Sequence, residues 1–490
     1  MQVVADLHLH SKYSRAVSQN MTLPTMVYYA VQKGIDLLTV SDWTHPLWQK
    51  EIGSQLEEAG EGIYQLKSEI RNPKHETASN AADANSNDQN SKSKTPPRFI
   101  FSTEISSIYT QGGKLRRIHN LVFVPSVTVA EKISKALVSR GANLNADGRP
   151  IIGMSAKDLL SLVLEIDDRS MLIPAHIWTP HFGIYGSASG FESLEEAFGD
   201  LASHIHGIET GLSSDPEMNW QIEELQTRSI LSFSDAHSPA KMGRELTVFE
   251  MEEVSYEQLR RAVMGNEKWE MSRVVGSRDE GKRTHNPSSH PDTQPKTHPR
   301  ILYTVEFYPE EGKYHFSGHR NCKVVFGPEE IRKQGSICPT CGKRLTEGVL
   351  YRLQQLADPI YLGRENTKEN SVGLLWHTDT RGKFPPYVKL VPLLEIVAEA
   401  GDSTVFSQKT KNIFQKLIDE CGTEIDVLLK TPIENVARSS GERVADGVQR
   451  VRHGNIVIDP GYDGEYGKIE IWKDGEEKEN DATPQLTLDF

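Results

Sequence analysis

An α/β fold built on parallel strands is predicted for residues 1–276, and three observations predict it. Short β-type runs recur along this stretch, segments of helical period separate them, and His, Asp or Glu sits in or just after every run. The expected runs are 2–5, 36–40, 99–101, 118–124, 171–174, 205–208 and 230–233, with helix candidates at 22–33, 127–139, 156–164 and 256–264. Ser255 and Gln258 are placed as a capping box for the last helix.

The residues at the run ends carry the chemistry. Asp6, His8 and His10 follow the first run, and alternation along a strand puts both imidazoles on one face. Asp42 and His45 follow the second run, Glu104 the third, and His119 lies within the fourth. The fifth leads to His176 and His181, the sixth to Glu209 and Asp215, and the seventh to Asp235 and His237. Carboxyl ends of parallel strands gather at one mouth, so these groups point to a single polynuclear metal site. Imidazole with carboxylate suits Zn or Mn, with Mg where carboxylates dominate. Glu104 has two oxygens to share between neighbouring ions. Closely spaced ions suit phosphodiester hydrolysis.

Composition bounds the rest. The chain has 490 residues, 37% hydrophobic and 25% charged, enough for roughly three domains at about 150 residues each. Four cysteines exclude a disulfide scaffold and fit a reducing, cytoplasmic setting. No run is long and apolar enough for a membrane helix, and no signal-peptide layout opens the sequence. A net charge of −13 means that any nucleic acid must be met by a local basic groove. No G-x-x-x-x-G-K-[S/T] loop occurs, which argues against a P-loop motor. A polar, aperiodic insertion is expected at 72–97 and a Pro- and charge-rich linker at 277–299. A zinc-binding domain is expected at 300–357, a mainly helical C-terminal domain at 358–470 and an acidic tail at 471–490.

The zinc expectation rests on His319-x-x-Cys322 and Cys338-x-x-Cys341, two pairs whose four ligands close a tetrahedral site. Cys421 has no partner pair and reads as an ordinary buried thiol.

D-L-H-L-H at 6–10, S-D at 41–42, T-E at 103–104, His119, A-H at 175–176 and S-D-A-H at 234–237 resemble the PHP superfamily. The resemblance implies a distorted seven-stranded β/α barrel with up to three ions. One ion would take His8, His10, Glu104 and Asp235, a second Glu104, His119 and His176. Superfamily members usually follow S-D with His, where this chain has Trp43; Asp42, His45 and His237 are assigned to the third ion instead.

With the zinc pairs, D-W-T-H-P at 42–46, E-T-G-L-S-S-D-P at 209–216, F-S-D-A-H-S-P at 233–239 and P-G-Y-D-G-E-Y-G at 460–467 are similar to the endonuclease Q family. That resemblance implies a monomeric DNA repair nuclease that cuts 5′ to uracil, hypoxanthine, xanthine or an abasic site. It adds Asp215 to Glu104 and Asp235 as catalytic positions; the plainer reading of Asp215 is a helix cap. Phosphate contacts are assigned to Lys114, Arg116, Arg117, Arg320, Lys323, Lys343 and Arg344. Trp43, Trp178, Phe182 and Tyr185 are candidates to wedge or stack against an extruded base. The segment 441–452 is weakly similar to half of a helix-hairpin-helix. The final Gln485-Leu486-Thr487-Leu488-Asp489-Phe490 resembles the peptide by which repair proteins dock on the β sliding clamp, with Leu488 and Phe490 as anchors. The sequence leaves two alternatives, a PHP-type phosphatase for small phosphomonoesters and a non-catalytic DNA-binding accessory protein.

Overall fold

The computed structural model describes residues 1–71, 96–265 and 298–473. Most of the expected insertion and linker, and the hexapeptide 485–490, lie outside the described residues. The fold is mixed α/β around a large central sheet. At its heart Gln2–Asp6 runs parallel to Leu37–Thr39, which runs parallel to Arg98–Gln111. The crossover helix Leu23–Lys33 buries Leu23, Met26 and Ala30 at helical spacing, and Gly34 closes it with φ 84°, where a side chain would be strained. Alternation along Gln2–Asp6 sends Val3 and Ala5 into one core, which Leu7 joins, while Leu9, beyond the end of the strand, packs in the other.

The parallel expectation fails next to this heart. Run 118–124 belongs to Lys114–Val124, which returns antiparallel against Arg98–Gln111 as one long hairpin. Its two-residue turn is Gly112-Gly113, with φ 58° and 75°, the geometry a tight hairpin requires. Met171–Pro174 then adds antiparallel to Lys114–Val124. Gly207–Glu209 and Ser229–Leu231 pair parallel in a separate two-stranded sheet.

On the other side, Leu246–Glu250 pairs antiparallel with Gln2–Asp6, and Arg300–Glu306 pairs antiparallel with Leu246–Glu250. The segment expected to open the zinc domain thus extends the central sheet. Tyr387–Lys389 adds parallel to Arg300–Glu306, and Glu365–Glu369 and Leu375–Asp379 extend the edge. Helices dominate only from Leu393–Ala400 to Glu442–Arg452. Among them, Thr423 and Asp426 form a capping box. Ser255 caps its helix, accepting from the Gln258 amide, but Gln258 Oε1 finds no partner, so only half of the expected capping box forms.

Candidate metal centre

The candidate ligand cluster is assembled from five stretches of chain. His8 and His10 follow the first strand, and a bridge between Leu9 and Ala236 draws Asp235 and His237 beside them. Glu104 lies in the middle of Arg98–Gln111, opposite Leu121. His119, two residues from Leu121, shares the face of Glu104 on the neighbouring strand. His176 follows Met171–Pro174 in the chain.

Glu104 bridges the set. Its Oε1 lies 2.5 Å from His119 Nδ1 and 3.1 Å from His176 Nε2. Its Oε2 lies 3.4 Å from His10 Nε2 and 3.8 Å from His8 Nε2. Asp235 Oδ1 is 3.0 Å from His10 Nε2 and 3.5 Å from His8 Nε2. Three groups converge closely enough to hold cations: His8, His10 and Glu104; Glu104, His119 and His176; His10, Asp235 and His237.

Two carboxylates behind the cluster orient it. Glu209 Oε1 lies 2.8 Å from His8 Nδ1, and its Oε2 accepts the His176 amide at 2.8 Å. Asp42 Oδ1 lies 3.3 Å from His10 Nδ1, and its Oδ2 accepts the Ser11 amide and Ser14 hydroxyl at 2.6 and 2.9 Å. His8 and His10 therefore present Nε2 inward, as ligands backed by a carboxylate do, whereas His119 turns Nδ1 to Glu104. His8 Nε2, which faces Glu104 and Asp235, is buried without a hydrogen-bond partner, so the donor set fits cations. Asp42, His176 and Asp235 hold φ of 39°, 31° and 46°. Such backbone costs about 1–3 kcal/mol per residue and gathers at functional sites.

The charges are mutually dependent. Burial works against charge on His10, yet Asp235 and Asp42 outweigh it and push its pKa up to about 9. Burial likewise opposes charge on His8, but Glu209 and Asp235 drive its pKa well above the ordinary range. Burial dominates at His119, pushed down to about 4. Against the cost of burial, His119 and Arg149 hold Glu104 well below the usual carboxylate range.

The third-ion assignment changes. His237 joins His10 and Asp235, with its Nδ1 2.9 Å from the Asp235 carbonyl, whereas Asp42 backs His10 from outside the three groups. His45 precedes the helix Pro46–Gln55 at its N-cap position without a side-chain cap and stacks on Tyr13 at 4.6 Å, outside every ligand group. Asp215 caps Pro216–Trp220, accepting the Met218 amide at 3.0 Å, and its other oxygen lies 2.6 Å from Lys389 Nζ. Both carboxylate oxygens of Asp215 are thus engaged, as the helix-cap reading expects. Glu209, which follows the sixth run, is grouped by the sequence with the metal-site residues but assigned to no ion, and nothing local marks Arg149.

Behind Glu209 lies a second acidic layer. Glu306 Oε2 accepts the Thr210 and Ser232 hydroxyls at 3.1 and 2.9 Å, and Glu245 is buried with neither oxygen hydrogen-bonded. Burial pushes Glu306 up to about 8, and burial with the nearby Glu306 raises Glu245 well above the ordinary value. A carboxyl with a raised folded-state pKa binds more protons folded than unfolded, so its stability contribution is lost as pH rises from about 4.5 to 8. Glu306→Gln is therefore expected to leave stability near pH 5 little changed and to increase it at pH 8 by up to a few kcal/mol. Denaturant titrations at the two pH values check this; equal effects at both would contradict it.

A second candidate cation site is separate. Single ligand atoms of His319, Cys322, Cys338 and Cys341 all lie within 4.8 Å of one another, so the four fit one tetrahedral ion such as zinc. Ser317–His319 and Val324–Phe326 form a short hairpin, and the Cys338 carbonyl accepts the Gly342 amide at 2.9 Å.

The expected phosphate contacts divide. Lys114, Arg320, Lys323, Lys343 and Arg344 are exposed and Arg117 half-buried, although Arg344 pairs with Glu347 at 2.8 Å. Arg116 is buried, 2.7 Å from Glu196 and packed over Phe191 at 3.9 Å, so it is unavailable to phosphate in this conformation. Trp43, Trp178 and Tyr185 are equally buried and serve the core. Phe182 is the half-buried exception, stacked on His119 at 4.3 Å.

An α/β chain with a bridged His/Asp/Glu cluster and a separate His/Cys site is the class these features define. Residues 392–455 match the family described as the MJ0043 C-terminal domain. The uncharacterized protein MJ0043 of Methanocaldococcus jannaschii is 28% identical over 330 residues, 65% of this chain and 35% of that protein. The chain thus spans about a third of that relative's length. The uncharacterized YqxK of Bacillus subtilis is 28% identical over 354 residues, covering 72% of this chain and 73% of YqxK. Among solved structures, the chain is similar to the lesion-specific endonuclease PfuEndoQ of Pyrococcus furiosus, with TM-score 0.70 and 26% identity over 96% of this chain and 95% of that one. It is similar to endonuclease Q bound to a 27-mer duplex with an abasic lesion at the active site, with TM-score 0.71 and 27% identity over 96% and 97%. The resemblance to endonuclease Q read from the sequence therefore extends to the fold of nearly the whole chain.

Proposed function

We propose that this protein is a metal-dependent DNA repair endonuclease that hydrolyses the phosphodiester 5′ to a deaminated base or an abasic site. The observation that carries the proposal is Glu104 bridging two sets of imidazoles in a chain with the fold of endonuclease Q. His8, His10, Asp235 and Glu104 would hold one ion, Glu104, His119 and His176 a second, and His237 would complete a third group with His10 and Asp235. Zn, Mn or Mg bound there would supply a water acidic enough to attack at neutral pH and would neutralise phosphoryl charge. Glu209 and Asp42 keep the His8 and His10 rings turned so that Nε2 faces inward. The strands would form the PHP-type barrel, and a zinc ion in the His319 site would hold the knuckle in shape.

Lesion selection follows from pairing energy: a mispaired or missing base costs less to extrude than an intact pair. Phe182 is the aromatic group available at the centre's edge. Lys114, Arg117, Arg320, Lys323 and Lys343 supply exposed charge for the backbone, which a chain of −13 must concentrate locally. Among the described residues no helix is long and apolar enough to cross a membrane.

The test is a panel of duplexes carrying uracil, hypoxanthine, xanthine or an abasic site, with a phosphomonoester in parallel. Incision of at least one modified duplex is expected; turnover of the phosphomonoester alone would favour the phosphatase reading. The hexapeptide 485–490 is proposed to dock on the β sliding clamp. Its deletion should abolish clamp binding and spare incision of short duplexes; undiminished clamp affinity would refute the docking.

A further inference from the structure

The ligand cluster opens to solvent on one side. Side-chain exposure is 0–1% at His8, His10 and Glu104, but 25% at Asp235, 36% at His237 and 24% at Arg149. These three half-open groups mark where a substrate can approach. Arg149 Nη1 lies 3.1 Å from Glu104 Oε2, the oxygen that also faces His10 Nε2 at 3.4 Å. Among the described residues it is the one Lys or Arg side chain ion-paired to a carboxylate of the cluster.

Its position is built. Asp147 Oδ1 accepts the Arg149 and Arg15 amides, each at 3.2 Å. Gly148 passes so close to the centre that a Cβ there would lie 2.4 Å from both Asp42 Oδ2 and Ser14 Oγ. Its amide donates to the Tyr13 carbonyl at 3.1 Å, and its carbonyl accepts from Thr44 at 3.4 Å. The loop is thereby pinned to the same Asp42 that orients His10. A guanidinium has five N–H donors, and among the described residues only Nη1 is used.

We propose that Arg149 binds the scissile phosphate, donating to its non-bridging oxygens beside the cations held by Glu104. The inference deepens the endonuclease reading and rests on it. A counter-ion needed only to neutralise Glu104 requires neither partial exposure nor unused donors. A planar fork beside a phosphodiester matches the anion bidentately and stabilises the charge that builds on it during attack.

The test uses the full-length, zinc-loaded protein and inorganic phosphate as probe, with binding followed by calorimetry and bound metal by elemental analysis. Arg149→Ala should weaken phosphate binding at least about tenfold and slow single-turnover incision roughly 10²–10³-fold, with metal per chain unchanged. Arg149→Lys keeps the charge beside Glu104 but lacks the fork, so it should fall between the two. Wild-type phosphate affinity in both variants, or metal lost in step with phosphate affinity, would overturn the assignment. If the wild-type protein incises no lesion duplex, the endonuclease reading fails, while the phosphate measurement still reports on Arg149.

Discussion

Replacing Glu104 with Gln is expected to lower metal-supported DNA incision by at least about 10³-fold, at or beyond the loss that follows removal of one oxyanion donor. Glu104 is fully buried and sits within 3.8 Å of His8, His10, His119, His176 and Arg149. The amide keeps the volume but removes the charge and one acceptor oxygen. The two groups that share Glu104 would then present imidazoles without a common anion, and bound metal should fall with activity. Single-turnover incision and elemental analysis of the purified variant check both halves. Incision within tenfold of wild type, or full metal occupancy with no activity, would show that Glu104 is not the bridge.

The second large effect concerns stability. Lys33, at the end of the first crossover helix, places Nζ 2.8 Å from Glu424 Oε2, with side-chain exposures of 3% and 5%. Glu424 Oε1 also accepts the Leu393 amide at 3.0 Å, so this carboxylate ties the C-terminal helices to the central sheet's first connection. Glu424→Ala strands a buried ammonium, which should cost about 3–5 kcal/mol in chemical denaturation. Lys33→Met combined with Glu424→Gln removes both charges and should recover most of that loss, because the attraction of a buried pair is largely offset by its desolvation. A loss below about 1 kcal/mol in the single variant would mean that the pair is hydrated in solution.

Much of the candidate site was legible because its residues obey strand-end logic. His8 and His10 could be read as a pair from period-two alternation, and Asp235 and His237 from their place after a run. The same logic overreached at His45 and Asp42, since residue type at a run end does not reveal which way a side chain turns. His45 stacks on Tyr13, and Asp42 serves His10. Arg149 was invisible for the converse reason: its loop is brought to the centre by the close approach of Gly148 to Asp42, a contact 106 positions apart in the chain. The hairpin was missed because Arg98–Gln111 was read only as far as 101, which hid the Gly112-Gly113 turn signal. Burial of Arg116, Trp43, Trp178 and Tyr185 depends on neighbours distant in sequence, such as Glu196 beside Arg116 and Asn219 beside Trp178. Local composition cannot convey such contacts.

The most direct measurement compares chelator-stripped and metal-reconstituted protein on one duplex bearing a single uracil or abasic site, against the same duplex unmodified, with the cut mapped to the nucleotide. Reconstituted protein should nick only the damaged strand, immediately 5′ to the lesion, and stripped protein should leave both duplexes intact. Cleavage that persists after complete metal removal, or that falls equally on the unmodified duplex, would contradict a cation centre at Glu104 acting on damaged DNA.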